Sequence, residues 1–198
     1  VSLTKDGERD FIFYRNPSAD QLLEKKQVDH INLQNSILHF CSLSLDDYPL
    51  KEAVDHLLNV QKKNKGLISF DPNLRLSLFK DHNKYREVIL KYIPYADILK
   101  VSDDELEFLT KIADENQSIK FLFDFGVKHL VLTRGSKGVT YFNHKSRIDV
   151  DGFEVDVIDT TGAGDSWIGA FLAQVANFEN IEIVTDEQMR NILKYANA

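Results

Sequence analysis

A single cysteine, Cys41, is the only thiol in 198 residues. No internal disulfide is therefore open to the chain, and so thiol-poor a composition suits a reducing compartment such as the cytoplasm. No apolar run approaches the ~20 residues that a membrane-spanning helix requires, and the first residues carry no signal-peptide core. Positive charge is in deficit as well. Lys and Arg number 24 against 31 Asp and Glu, a net charge of −7. Nucleic acids and anionic membranes hold their partners through phosphate attraction, which needs a basic face, so both are disfavoured as partners. The six His residues include no His-Glu-x-x-His or other close pair with metal-ligand spacing. What remains is a globular composition, 43% hydrophobic and 28% charged, which excludes disordered, collagen-like and coiled-coil classes.

The chain opens on Val1-Ser2-Leu3-Thr4, an alternation that reads as the middle of a strand, and its one methionine is Met189. It closes inside a helical pattern at Lys194-Tyr195-Ala196-Asn197-Ala198, with no Gly or Pro stop. The expectation is a piece of a longer chain, truncated at both ends. Residues 1–15 read as two strands of a small β lid, joined at Lys5-Asp6-Gly7-Glu8, where Asp-Gly supplies the positive φ of a tight turn. Phe11 and Phe13 alternate with Ile12 and Tyr14, so both faces of this lid carry large side chains. Such a piece covers something or pairs with a second copy, and a homodimer through the lid is expected.

From residue 16 to 198 strands and helices alternate. Ser36–Leu45 is a mostly apolar run, and Asp46, Asp47 and Pro49 mark a helix start. Leu50, Ala53, Val54, Leu57 and Leu58 recur at helical spacing until Gly66. Leu67–Phe70 is a strand, Tyr85, Val88, Ile89 and Tyr92 mark a helix, and Ala96–Val101 is the next strand. Ser102 and Glu105 form a capping box. Ser118 starts a further helix, Leu130–Thr133 is a buried strand, and Gly138–Phe142 with Arg147–Val150 reads as a hairpin. Val155–Ile158 is expected as a last strand, leading into a helix that carries Trp167, Ile168, Phe171, Leu172 and Val175. This order predicts one α/β domain, a mostly parallel sheet covered by helices on both faces.

Ligands of open α/β sheets bind beyond the carboxyl ends of the strands. The segment best suited to that place is Asp159-Thr160-Thr161-Gly162-Ala163-Gly164-Asp165. Its glycines admit a close backbone approach, and the first N–H groups of the helix can face an anion. By themselves the glycines suit a phosphate cradle and a plain structural turn equally. Asp165 could be a helix-capping charge. Beside a phosphate it would repel the ligand, unless its task is to take a proton from an attacking hydroxyl, with the helix N-terminus and Mg²⁺ offsetting the phosphoryl charge. No P-loop is present, and Gly162, Gly164 and Gly169 miss the dinucleotide spacing.

Asp159–Asp165 resembles the Asp-Thr-x-Gly-Ala-Gly-Asp signature of the ribokinase-like (phosphofructokinase-B) carbohydrate kinases. Leu132-Thr133-Arg134-Gly135-Ser136-Lys137-Gly138 is similar to the family's nucleotide-binding turn, and Phe70-Asp71-Pro72-Asn73-Leu74-Arg75 to its Asp-x-Asn-x-Arg segment. Phe13 to Asp20 resembles the corresponding stretch of the fructokinase branch. The resemblance implies a ribokinase-like fold and ATP-dependent phosphorylation of a sugar primary hydroxyl, with fructose the first choice. Alternatives are ribokinase, 2-keto-3-deoxygluconate kinase, or a non-catalytic nucleotide-binding relative. It implies Asp165 as catalytic base and sugar contact, and Gly162, Ala163 and Gly164 as the anion hole. Tyr14, Arg15 and Arg75 become sugar-side residues. Thr133, Gly135, Gly138, Gly162, Gly164 and Asn197 become nucleotide contacts. Asp159 and Thr161 match positions that hold a monovalent cation such as K⁺ in some members, and Glu105 would orient water around Mg²⁺. Two departures stand out: Ser102 replaces the Asn of the usual Asn-x-x-Glu, and Phe79 stands where a Trp is frequent.

Overall fold

The strands that carry the fold are short and apolar, and their side chains alternate between two helical layers. The computed structural model describes residues 2–3, 9–10, 13–15, 17–157 and 159–198. At the start, β1 (Ser2–Leu3) and β2 (Arg9–Asp10) pair antiparallel as a separate two-stranded sheet. The expected turn at Lys5–Glu8 lies outside the described residues, as do Phe11 and Ile12. After α1 (Lys25–Val28) come β3 (Ile37–Cys41), α2 (Pro49–Lys63), β4 (Leu67–Asp71), α3 (His82–Tyr92) and β5 (Ile98–Ser102). Then follow α4 (Asp103–Thr110), α5 (Glu115–Asp124), β6 (His129–Thr133), β7 (Val139–Phe142), β8 (Arg147–Val150), α6 (Ala163–Val175) and α7 (Asp186–Asn197).

The main sheet has the order β3-β4-β5-β6-β7-β8. Pairs from β3 to β6 are parallel, and β7 and β8 continue antiparallel. Period-two alternation sorts the side chains. Phe40, Phe70, Leu99, Leu130 and Leu132 face Leu58, Ile89, Leu109 and Leu122 of α2, α3, α4 and α5. Ile98, Val131 and Tyr141 face the other way, against Trp167 and Phe171 of α6 and Met189 and Leu193 of α7. Each fully buried Leu, Ile or Phe contributes about 1.5–3 kcal/mol of transfer free energy, so two continuous cores hold the three layers together. The mostly parallel, doubly covered sheet expected from the sequence is present.

Three local expectations need correction. Residues 151–157 form no strand: Val155 and Val157 are 69% and 63% exposed, and Ile158 lies outside the described residues. Their alternation is real, but β8 closes the sheet and no described strand lies beyond it to pair with them. The helix expected from Ser118 begins earlier, at Glu115, because the Asp114 side chain caps it by accepting from Gln117 N–H. Ser118 is instead a buried hydroxyl bonded to Thr110 and to the Ile112 carbonyl. The helix expected to run to Gly66 stops at Lys63, and Lys65 takes the left-handed turn (φ 55°).

Several buried polar groups are satisfied in pairs. His129 at the start of β6 is 1% exposed. Its Nδ1 lies 2.6 Å from Tyr141 Oη and its Nε2 lies 3.0 Å from Glu182 Oε1. The network assigns the neutral tautomer in which Tyr141 donates to Nδ1 and Nε2–H donates to Glu182. Burial pushes the Tyr141 phenol up to about 12. Burial also holds His129 below the ordinary imidazole value of 6.5, with Glu182 opposing. Below that value the unfolded chain therefore binds a proton that the folded one refuses. This stabilisation is complete above pH 6.5 and falls away as the pH drops through it. Denaturant midpoints should decline between pH 8 and pH 5.5, and less steeply in His129→Gln. Equal slopes for the two proteins would refute the assignment.

Candidate active site

The carboxyl ends of β3, β4, β5 and β6 lie side by side, because the parallel register pairs Cys41 with Asp71 and Ser102 with Thr133. Over this row sits the first turn of α6. Gly162, its N-cap, has φ 77°, a left-handed turn that a side chain would strain. The turn swings the chain from the 159–161 loop into the helix. Ser166 N–H makes the first helical bond, to the Gly162 carbonyl at 2.8 Å, and Ala163 N–H donates to the Thr160 carbonyl at 3.1 Å. Among the described residues, nothing accepts from the N–H groups of Gly164 and Asp165. These unsatisfied donors at the positive end of a 13-residue helix are suited to an anion.

Asp165 is exposed in that first turn. Asn73 reaches it from the end of β4: its Nδ2 lies 3.4 Å from Asp165 Oδ1. Asn73 has φ 46°, a left-handed conformation that Asn tolerates better than most residues, and this turns the segment after β4 toward α6. An exposed carboxylate, an amide that contacts it and two unpartnered N–H groups thus converge at the strand ends.

The other sequence-predicted residues are placed as follows. Thr133 ends β6, and its hydroxyl donates to the Val101 carbonyl at 3.4 Å. Gly135 and Gly138 form the turn into β7. Gly138 has φ 94°, and a Cβ there would strike the Val150 carbonyl, so this glycine is required by backbone contact alone. Arg134 in the same turn pairs with both oxygens of Glu115, at 2.6 and 2.9 Å. Arg75 turns its guanidinium back onto the carbonyls of Asn73 and Leu74, at 3.2 and 2.9 Å, and so braces the turn that carries Asn73. Asn197 accepts from the Trp167 indole at 2.8 Å and donates to the Asp151 carbonyl at 3.0 Å, tying α7 to α6. Tyr14 is 88% exposed. Arg15 pairs with Asp20 at 2.7 Å and reaches the Leu43 carbonyl at 3.3 Å.

Asp159 accepts from Thr161 N–H at 2.7 Å, which shapes the loop before α6. Glu105 completes the capping box with Ser102 and also accepts from Leu74 N–H at 2.7 Å. Burial pushes its carboxyl above the ordinary value, while the two backbone N–H groups oppose that shift. Both Glu105 oxygens are thus engaged by backbone. Among the described residues no group of three or more His, Cys, Asp or Glu is arranged to hold a metal ion.

Sequence reasoning missed Lys100, and it gave Asp71 and Asn73 no role although it quoted the segment that contains them. Lys100 Nζ lies 2.7 Å from Asp71 Oδ2, with side chains 8% and 3% exposed. A lysine inside the apolar run Ile98-Leu99-Lys100-Val101 was the available signal. A strand covered on both faces tolerates such a charge only when it is paired. A cavity of about 1080 Å³ also opens at the opposite end of the sheet, lined by Lys62, Tyr95, Asp97 and Lys128 among others. None of the predicted residues lines it, and it faces the amino ends of the strands.

An open α/β sheet with a carboxylate and a helix N-terminus at its carboxyl edge is the architecture of a protein that binds an anionic ligand there. The chain belongs to the pfkB family of carbohydrate kinases, which it matches over residues 1–198. It is 42% identical over 201 residues to fructokinase-2 of Zea mays, an alignment that takes in 100% of this chain and 59% of that protein. It superposes with a TM-score of 0.88 at 29% identity on the fructokinase of Vibrio cholerae O395 in its fructose-, ADP- and calcium-bound form, covering 98% of this chain and 63% of that one. The aminoimidazole riboside kinase of Salmonella enterica gives 0.83 at 26% identity, over 95% and 62% of the two chains. The chain thus spans about three-fifths of the length of these relatives. No helix among the described residues is long and apolar enough to cross a membrane.

Proposed function

We propose that the protein of which this chain is a part transfers the terminal phosphoryl group of ATP to a primary hydroxyl of a sugar, with fructose giving fructose 6-phosphate. The observation that carries this reading is Asp165: an exposed carboxylate in the first turn of α6, beside two unpartnered N–H groups, at the carboxyl ends of parallel strands. A carboxylate there has no use in holding phosphate. It has a use in accepting the proton of a hydroxyl that attacks phosphorus. The N–H groups of Gly164 and Asp165 then face the oxygens on which charge accumulates, and transfer runs in line without a covalent intermediate. Magnesium enters as part of the nucleotide substrate, where it neutralises phosphate charge. Gly162, Ala163 and Gly164 form the turn that aims these donors. By the resemblance, this reading assigns Thr133, Gly135, Gly138 and Asn197 to the nucleotide, and Tyr14, Arg15 and Arg75 to the sugar. The 159–161 loop is the place for a monovalent cation.

The likeness to fructokinases supports fructose as acceptor. The composition supports a cytoplasmic setting. The alternating apolar residues of the β lid support pairing with a second copy. The test is ADP release by the full-length protein with ATP and a panel of fructose, ribose, glucose and 2-keto-3-deoxygluconate. Fructose should give the highest kcat/KM. A different best acceptor would change the substrate and keep the chemistry, and ATP binding with no turnover on any sugar would remove the kinase reading.

A further inference from the structure

The Lys100–Asp71 pair has no part in the chemistry just described, yet it lies directly beneath it. A Cβ built on Gly164 would stand 3.7 Å from Lys100 Nζ, so the ammonium backs the same turn whose N–H groups face outward. Asp71 holds it from the last position of β4, two residues before Asn73, which itself contacts Asp165. The second oxygen of Asp71 is buried and accepts no hydrogen bond among the described residues. Burying an ion pair gains little over well-packed apolar residues, and one left with an unsatisfied oxygen gains less. Stability alone therefore gives no reason for a lysine in the middle of β5.

The surrounding charges supply one. Asp165, Asp71, Glu105 and the Asp159 loop make the strand ends rich in carboxylates, and the substrate to be bound there is itself an anion. Lys100 is the buried cation among them. It interacts electrostatically with Asp71 and Glu105, and the imidazole of His39 on β3 lies within electrostatic reach of both Lys100 and Asp165. We propose that Lys100, held in place by Asp71, is a positioning residue that backs the N-terminal turn of α6, and so its outward-facing N–H groups, with fixed positive charge. This inference rests on the phosphoryl-transfer reading above. Burial pushes the Asp71 carboxyl up while Lys100 opposes it, as expected of a carboxylate retained for its partner.

The positive charge separates an electrostatic role from a packing one, because Lys100→Arg keeps it and Lys100→Met does not. The experiment is steady-state kinetics of the full-length protein and of Lys100→Met, Lys100→Arg and the double variant Lys100→Met with Asp71→Asn. In Lys100→Met, kcat should drop about 10–100-fold with sugar KM changed less than about 3-fold, as for an interaction made in the transition state. Lys100→Arg should recover most of that kcat.

With an active wild type, a folded Lys100→Met variant of wild-type kcat, or a Lys100→Arg variant as slow as Lys100→Met, would overturn the assignment and leave a structural pair. Should Lys100→Met fail to fold, the double variant decides alone, because it leaves no unpaired buried charge. A folded double variant with wild-type kcat would overturn the assignment, and one slowed at least about 10-fold with unchanged sugar KM would support it. A wild type that releases no ADP with any sugar would overturn both this inference and the kinase reading.

Discussion

Asp165→Asn is expected to bind ATP and keep its fold while turning over about 10²–10⁴ times more slowly, the range associated with removing a general base. The fold should survive because the side chain is exposed and its hydrogen bond from Asn73, at 3.4 Å, is a long contact. What the helix loses is the favourable placement of an anion in its first turn, about 0.3–1 kcal/mol. The activation barrier, by contrast, would rise by several kcal/mol at 1.36 kcal/mol per tenfold change in rate. Turnover measured by ADP release, with ATP affinity measured separately by calorimetry, distinguishes the two effects. A variant within a few-fold of wild type would show that the hydroxyl proton leaves by another route.

The second large effect is expected at Phe171→Ala. Phe171 is fully buried on the sheet-facing side of α6 and stacks on Trp167 at 5.2 Å between ring centres. It packs in the cluster that contains Ile98 of β5 and Val131 of β6. Removing a buried ring costs about 3–5 kcal/mol, the lost transfer energy plus the cavity left behind. A marginally stable domain would lose much of its reserve in this way. The consequence reaches the site because α6 is the element that carries Asp165. Guanidinium unfolding should show a lower midpoint with an unchanged slope, the shift multiplied by the slope giving that loss. A loss below about 1 kcal/mol would mean that the helix is seated by something other than this ring.

Much of this was readable from residue order. Repeated apolar strands and amphipathic helices gave the layered sheet, and the Ser102–Glu105 capping box appears where its spacing predicted it. Asp159–Asp165 does lead into a helix, with Gly162 in the left-handed conformation its place in the turn required. Among the described residues, no strand forms just before it. Alternation such as Phe153, Val155 and Val157 reports only that a segment could lie on a sheet, and pairing depends on whether an edge is there to receive it. Glu105 and Asn197 show the same limit in another form. Beyond the local capping box, Glu105 is engaged by the Leu74 N–H and Asn197 by the Trp167 indole, partners about thirty positions away along the chain.

The amino-acid order alone decided the class of fold and the segment around which the chemistry is built, because helix starts, strand periodicity and glycine turns are local properties of the chain. Only the tertiary structure decided what surrounds Asp165. Parallel pairing of Phe70 with Leu99 sets Asp71 beside Lys100, 29 positions later in the chain, and the packing of α6 brings Gly164 down over their ion pair. Charges so far apart in sequence act on one another only after the sheet has fixed their register and excluded water from between them.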